Sequence, residues 1–234
     1  MQNQEHPAVL TARPGQDAPD GRTMKGTHPL GLEQHRDPLV YVPEGLRADH
    51  PAPLLIALHG AGGDAAGGLA LLRHVADQYN IVLLSPASRG STWDGIRDGY
   101  GPDVDLIDRS LEQVFDLVTV DPDRIGIGGF SDGASYALSL GLTNGDLFGH
   151  LLAFSPGFAA PAGQHGSPRI FVSHGTRDQV LPIDRCSRRI VPRLERAGYD
   201  VRYREFDGPH TVPPEIAREG LAWFLDRPGT PTAP

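Results

Sequence analysis

The sequence predicts an α/β domain with a mostly parallel central sheet and helices on both of its faces. Three observations carry that prediction. Strand-like and helical patterns alternate from residue 38 to residue 227, with no internal repeat. Two runs, Leu54–Leu58 and Ile81–Leu84, are apolar without interruption, as strands covered on both faces are. The segment from Arg124 to Ala134 passes from an apolar run through Gly129-Phe130-Ser131-Asp132-Gly133 into a small-residue helical pattern, which reads as strand, sharp turn and helix.

Taken in order, residues 1–37 are polar and rich in Pro, Gly and His. They are expected to form an arm that wraps the surface, with Ala8–Thr11 as an edge strand. Leu39–Val42 is β-branched and aromatic between two prolines, a strand. The run Leu54–Leu58 leads into His59-Gly60-Ala61-Gly62-Gly63-Asp64, and residues 69–79 have a helical pattern. After strand 81–84, the loop 85–102 carries Trp93 and Tyr100. A helix begins at Asp103, because Val104, Ile107, Leu111, Val114 and Val118 recur at helical spacing. Asp121-Pro122 turns into the strand before Ser131, and Ala134, Ala137, Leu138, Gly141 and Leu142 continue as a helix small enough to pack closely on a sheet. Strands are expected at 150–154, 169–173 and 200–206, and helices at 184–197, with a kink or a break at Pro192, and at 214–225. Ser155–Pro168 is too short for a cap of several helices, so any site beside it should be open. The expected organisation is one domain, 38–227, with the arm 1–37 before it and a flexible proline-rich tail, 228–234, after it.

Composition narrows the function. A chain of 234 residues supports one substantial core. The formal net charge of −8, with both signs interspersed, argues against nucleic acid as a partner. A single cysteine, Cys186, excludes an internal disulfide and a Cys-x-x-Cys site, and is read as a structural thiol. No apolar run has the length of a membrane span. The residues after Met1 lack a basic start followed by an apolar core, so no signal peptide is read and a cytoplasmic location is expected. No metal or cofactor is expected. Asp103, Asp105 and Asp108 lack the loop glycine and terminal Glu of a calcium loop and are assigned to capping a helix. The glycines at 60–68 are not followed by Gly-Lys-Ser/Thr and fit no G-x-G-x-x-G. Arg185, Arg188, Arg189, Arg193 and Arg196 read as a solvated helix face.

In parallel sheets, chemistry gathers at the carboxyl ends of the strands. Three such ends carry suitable groups: Ser131 in G-x-S-x-G, Asp178 in His174-Gly175-Thr176-Arg177-Asp178, and His210 in Gly208-Pro209-His210. Of ten histidines, His210 alone follows Asp178, and the chain order Ser, Asp, His is that of a nucleophile-elbow hydrolase. A serine hydroxyl becomes a useful nucleophile when an imidazole removes its proton, and a carboxylate fixes that imidazole's tautomer. Asp207 is the alternative orienting carboxylate. His59 and His174 are assigned structural hydrogen bonds near the site.

With Leu58-His59-Gly60-Ala61-Gly62-Gly63, the serine motif, residues 174–178 with Val180 and Pro182, and Gly208-Pro209-His210 in that order, the chain resembles the phospholipase/carboxylesterase family of α/β-hydrolases. The likeness extends over about residues 38–227. It implies Ser131 as nucleophile, His210 as general base and acid, Asp178 as its orienting partner, and the backbone amides of Ala61 and Asp132 as the oxyanion hole. Two departures stand out. Asp132 follows the serine where these esterases often carry Gln, which adds a carboxylate expected to disfavour anionic substrates. Ser91-Thr92-Trp93-Asp94 resembles the family's Trp-aromatic-Asp stretch without its second aromatic. Trp93, Tyr100 and Phe158 are the candidates for the acyl pocket. The implied activity is hydrolysis of carboxylic esters with small to medium acyl groups through an acyl-enzyme, on a small-molecule substrate and without cofactor. A thioesterase or lysophospholipase, a polyester depolymerase, or a catalytically silent binding protein on the same fold are the alternatives.

Overall fold

Leu54–Leu58 is apolar at every position because both of its faces are covered: strand β3 (Ala52–Leu58) is buried along its whole length. The structure, a computed structural model, describes residues 8–15, 24–47, 50–97 and 99–226. The tail expected at 228–234 lies outside them. Strands β1 (Gly26–Pro29) and β2 (Leu39–Val42) precede β3; helix α1 (Ala65–Ala76), strand β4 (Val82–Ser85) and the short helix α2 (Asp94–Arg97) follow it. Helix α3 (Pro102–Leu117), strand β5 (Val120–Phe130), helix α4 (Asp132–Thr143) and strands β6 (His150–Phe154) and β7 (Arg169–Gly175) come next. Helix α5 (Ser187–Arg196), strand β8 (Val201–Phe206) and helix α6 (Pro214–Leu225) complete the described fold. The eight strands form one sheet in the order β1-β2-β4-β3-β5-β6-β7-β8. β2 is antiparallel to both of its neighbours, and every pairing from β4 to β8 is parallel.

The period-two alternation of a strand divides the core between the two faces. Leu54, Ile56 and Leu58 join Ile107, Leu111, Leu138, Ile190 and Leu194 under α3, α4 and α5. Leu55 and Ala57 join Leu72, Leu221 and Phe224 under α1 and α6. Each large apolar side chain buried this way contributes about 1.5–3 kcal/mol.

Several boundaries differ from the sequence expectation, each for a local reason. The first helix begins at Ala65, before residue 69, because the Asp64 side chain caps it by accepting from the Gly67 amide. α5 runs through Pro192 without a break; its Ile190, Val191 and Leu194 are buried and hold the turn against the sheet. Asp103 and Asp108 do not cap α3, whose N-cap is Gly101. The Asp103 carboxylate instead accepts from the amides of Arg89 and Asp94, at 2.8 Å each.

The largest correction concerns the arm. Ala8–Thr11 forms no strand, and it does not merely wrap the surface: Ala8, Leu10 and Ala12 are buried in the main core. Its backbone is satisfied by side chains rather than by a neighbouring strand. The Leu10 amide donates to Asn144 Oδ1 (2.7 Å), Asn144 Nδ2 donates to the Ala8 carbonyl (2.8 Å), and the amides of Thr11 and Ala12 donate to Asp108 Oδ1. The edge strand is Gly26–Pro29, made by antiparallel pairing with β2. Replacing Asn144 by Ala strands a buried amide and a buried carbonyl. The expected loss is about 3 kcal/mol of stability, read as a lower urea midpoint; an unchanged midpoint would show that Asn144 does not anchor the arm.

His150, at the start of β6, is buried with no hydrogen-bond partner for either ring nitrogen among the described residues. It lies edge-on to Trp223 and Phe224, with centroids 5.5 and 5.2 Å away. Burial, with the positive charges of Arg169 and Arg124, lowers its pKa to about 4. The unfolded chain binds this proton near pH 6.5 and the folded chain does not, so stability falls as pH drops from 6.5 to about 4. The loss from this one group is about 3 kcal/mol, or roughly 6–12 °C in melting temperature for a chain of this size. A His150→Phe variant should lose correspondingly less stability over the same pH interval. Identical acid sensitivity in the two proteins would refute the assignment.

Candidate active site

Ser131 stands between the last residue of β5 and the first of α4 at φ 58°, ψ −119°. Side chains rarely adopt that region, and it is held here by tight bonding on both sides. The Ser131 amide donates to the Phe154 carbonyl (3.0 Å), and the Ser131 carbonyl accepts from the amides of Ala134 and Ser135 (3.0 Å each). The flanking glycines are dictated by sterics. A Cβ on Gly133 would stand 2.4 Å from the carbonyl oxygens of Leu58 and His59, and one on Gly129 would stand 2.6 Å from the Gly133 backbone. Only hydrogen at both positions lets α4 descend onto β3 and lift the serine hydroxyl above the sheet.

The three residues singled out at separate strand ends meet there. His210 Nε2 lies 2.9 Å from Ser131 Oγ, and His210 Nδ1 lies 2.5 Å from Asp178 Oδ2. The imidazole therefore donates from Nδ1 to the carboxylate and faces the hydroxyl with Nε2. Phe130 packs on the ring at a centroid distance of 4.6 Å. The loops that carry Asp178 and His210 are bonded together, Thr176 N to the Phe206 carbonyl (2.8 Å) and Arg177 N to the Gly208 carbonyl (2.9 Å). Gly175 permits that closure, since a Cβ there would meet the carbonyl oxygens of Gly208 and Pro209 at 2.4 Å.

Asp178 has a second imidazole partner. Its Oδ1 accepts from the amides of Val180 (2.9 Å) and Leu181 (2.8 Å), and its Oδ2 lies 3.2 Å from His174 Nε2 as well as beside His210. His174 Nε2 also faces the Leu181 carbonyl (2.8 Å). Both of those neighbours only accept, so Nε2 carries the proton and Nδ1 accepts from the Ser187 hydroxyl at 2.6 Å. Burial raises the Asp178 carboxyl, but the Leu181 amide, His210 and His174 together outweigh it and hold it below the ordinary carboxylate range. Burial lowers the pKa of His174, which favours the neutral donor the geometry requires.

The loop 59–63 sits on the other side of Ser131. The amides of Ala61 and Asp132 make no hydrogen bond to other described residues. His59 holds this loop: Nε2 accepts from the Ser88 amide (3.0 Å), Nδ1 donates to the Gly60 carbonyl (2.7 Å), and burial lowers its pKa. Asp132 turns its carboxylate away, onto the Thr92 hydroxyl at 2.7 Å. Trp93, a candidate for the acyl pocket, belongs to the main core. It is fully buried, donates from Nε1 to the His59 carbonyl (3.0 Å), and stacks between His59 and Tyr136. Asp94 next to it collects the Tyr136 hydroxyl (2.8 Å) and the amides of Gly101 and Asp103, which tie down the loop. Tyr100 is half-buried and reaches across to the Ala160 carbonyl (3.2 Å), and Phe158 lines a groove beside α5. Asp207, the alternative orienting carboxylate, is exposed and pairs with Arg177 at 2.8 Å. Among the described residues no group of three or more His, Cys, Asp and Glu is placed to hold a metal ion. No described helix is long and apolar enough to cross a membrane.

Sequence reasoning did not find Ser187 or Ser135. The hydroxyl of Ser187 carries no motif and gains its role only when α5 packs behind β7. Ser135 Oγ donates to the Ser131 carbonyl (3.2 Å) and accepts from the Gly157 amide (2.9 Å); its one trace in sequence is the recurrence of hydroxyls at 135, 139 and 143.

The Probable feruloyl esterase C of Aspergillus oryzae is 27% identical over 170 residues, covering 69% of this chain and 60% of that protein. Acyl-protein thioesterase 1 of Saccharomyces cerevisiae is 30% identical over 141 residues, 56% of this chain and 60% of its own. The chain thus spans about 60% of the length of these relatives. Esterase PE8 has the same α/β-hydrolase fold, with a TM-score of 0.61 at 24% identity over 74% of this chain and 94% of its own. The phospholipase/carboxylesterase family model matches residues 46–217, and the chain belongs to that family.

Proposed function

We propose that the protein is a serine hydrolase that cleaves carboxylic esters of small to medium acyl groups through an acyl-enzyme. The observation that carries this reading is the unbroken line from Asp178 through His210 to Ser131, at 2.5 and 2.9 Å, with the serine on its positive-φ turn. In the first half-reaction His210 Nε2 takes the Ser131 proton as Oγ bonds to the acyl carbon. The carbonyl becomes an oxyanion that accepts from the amides of Ala61 and Asp132. The intermediate collapses, the C–O bond to the alcohol breaks, and His210 returns its proton to the leaving oxygen. A water then gives a proton to His210 and attacks the acyl carbon; the bond from that carbon to Oγ breaks, and His210 passes the proton to Oγ, releasing the acid and restoring Ser131. Asp178 holds the imidazole tautomer and stabilises the imidazolium in both halves. Losing one oxyanion donor in such a site costs roughly 10²–10³ in rate.

The same steps cleave a thioester, and the likeness to acyl-protein thioesterase 1 supports that as the second reading. A small-molecule ester needs no partner chain, and the single buried free cysteine suits a cytoplasmic location. Ser131→Ala should lower kcat on p-nitrophenyl butyrate by about 10⁶ while the melting temperature stays within a few degrees of wild type. A variant that keeps most of its activity would remove Ser131 from the chemistry. Parallel assays on butyryl esters and butyryl thioesters then separate the two readings.

A further inference from the structure

A groove of about 320 Å³ runs between α5 and the loop after β6. One wall is apolar and rigid. The amides of Gly157, Ala160 and Ala162 donate in sequence to the hydroxyls of Ser135, Ser139 and Thr143, which follow one another every four residues along α4. This loop is thereby fastened rung by rung to the helix that carries Ser131 at its head. The other wall is cationic: Arg185, on the turn into α5, and Arg189 and Arg193 on the helix all line the groove. The last two are spaced ~6 Å along the axis.

These three arginines are not spent on the fold. Arg188, on the other side of the same helix, is paired with Asp184 and Glu205, and Arg196 donates to the Pro192 carbonyl. Arg185, Arg189 and Arg193 have no hydrogen bond or ion pair from their side chains among the described residues. Like charges one turn apart on a helix cost ~0.2–0.5 kcal/mol per pair, a repulsion that a bound anion relieves. At the near end of the groove the Gly157 amide donates to Ser135 Oγ (2.9 Å), which donates in turn to the Ser131 carbonyl (3.2 Å). The Asp132 carboxylate, next to Ser131, is bonded to the Thr92 hydroxyl.

We propose that this groove binds an oxyanion, a carboxylate or a phosphate, at the end of a substrate tail whose ester lies at Ser131. At ~30 Å³ per water-sized group, the space accommodates roughly ten non-hydrogen atoms. The inference rests on the hydrolase reading for the ester and on the arginines alone for the tail. It reverses the expectation that Asp132 disfavours anionic substrates.

The test compares kcat/KM on mono-p-nitrophenyl glutarate and on p-nitrophenyl butyrate, for wild type and for the triple variant Arg185→Gln, Arg189→Gln, Arg193→Gln. Binding of glutarate and of inorganic phosphate to both proteins is measured by titration calorimetry. Three weak charge contacts together should make the glutarate-to-butyrate ratio fall about tenfold in the triple variant. Salt should erode the wild-type ratio, and the corresponding Arg→Lys variant should recover part of it. Tighter binding of glutarate assigns the groove to carboxylates, and tighter binding of phosphate assigns it to phosphorylated tails. Arginine-dependent binding without ester hydrolysis would remove the hydrolase reading and leave the groove standing. Ester hydrolysis with an unchanged ratio, and no loss of glutarate or phosphate binding in the triple variant, would overturn the proposal.

Discussion

The arrangement depends on a single buried carboxylate. Asp178 gathers donors from its own loop, from His174 at the end of β7 and from His210 beyond β8, so one side chain joins the two loops that must be registered against Ser131. A charge buried this way is tolerable only when it is fully hydrogen-bonded, and with two amides and two imidazoles it is. The consequence is mechanical as well as electrostatic. His210 cannot swing away from Ser131 without giving up its bond to the carboxylate, and the carboxylate cannot turn without breaking the amide bonds that shape residues 178–181. His174 is best understood in this light. It carries its proton on Nε2, fixed by the Ser187 hydroxyl behind it, and so it supports the carboxylate without competing for a positive charge.

On either side of this line the surroundings are built differently. Toward β4, residues 88–97 and 99–103 are held by Trp93, sealed between His59 and Tyr136, and by the buried Asp103 and half-buried Asp94, which collect backbone amides. That is a rigid wall with its polarity satisfied internally. Toward β7, the loop after β6 is fastened to α4 by hydroxyls, while facing it Arg185, on the turn into α5, and Arg189 and Arg193 on the helix have no side-chain partner among the described residues. The proposed recognition of a substrate by its far end rests on this contrast between the two sides.

Much of this was legible in the amino-acid sequence, and the reasons are physical. β3 could be read because a strand covered on both faces has no place for a polar residue. The turn at Ser131 could be read because only glycine fits at 129 and 133, where helix and sheet approach closest. Asp178 and His210 could be read because parallel strands deliver their ends to one rim. What escaped depended on distant partners. The arm is fixed by Asn144 and Asp108, which lie 134 and 97 residues from their partners Leu10 and Thr11, and no local pattern marks that. β1 contains a glycine and a proline and exists because β2 offers an edge. Trp93 could not be divided between pocket and core from its type, since a large aromatic suits both; it is buried against His59 and Tyr136, which come from two other segments of the chain. The arginines of α5 look like any solvated stripe until the loop after β6 is laid opposite them.

The most direct test is covalent capture of the serine. Treatment with a fluorophosphonate probe, followed by peptide mass spectrometry, should give one adduct, on Ser131, and His210→Ala should abolish it. A protein that stays unlabelled while folded, or that carries the adduct on another serine, would contradict the assignment of the Asp178–His210–Ser131 line as the catalytic machinery.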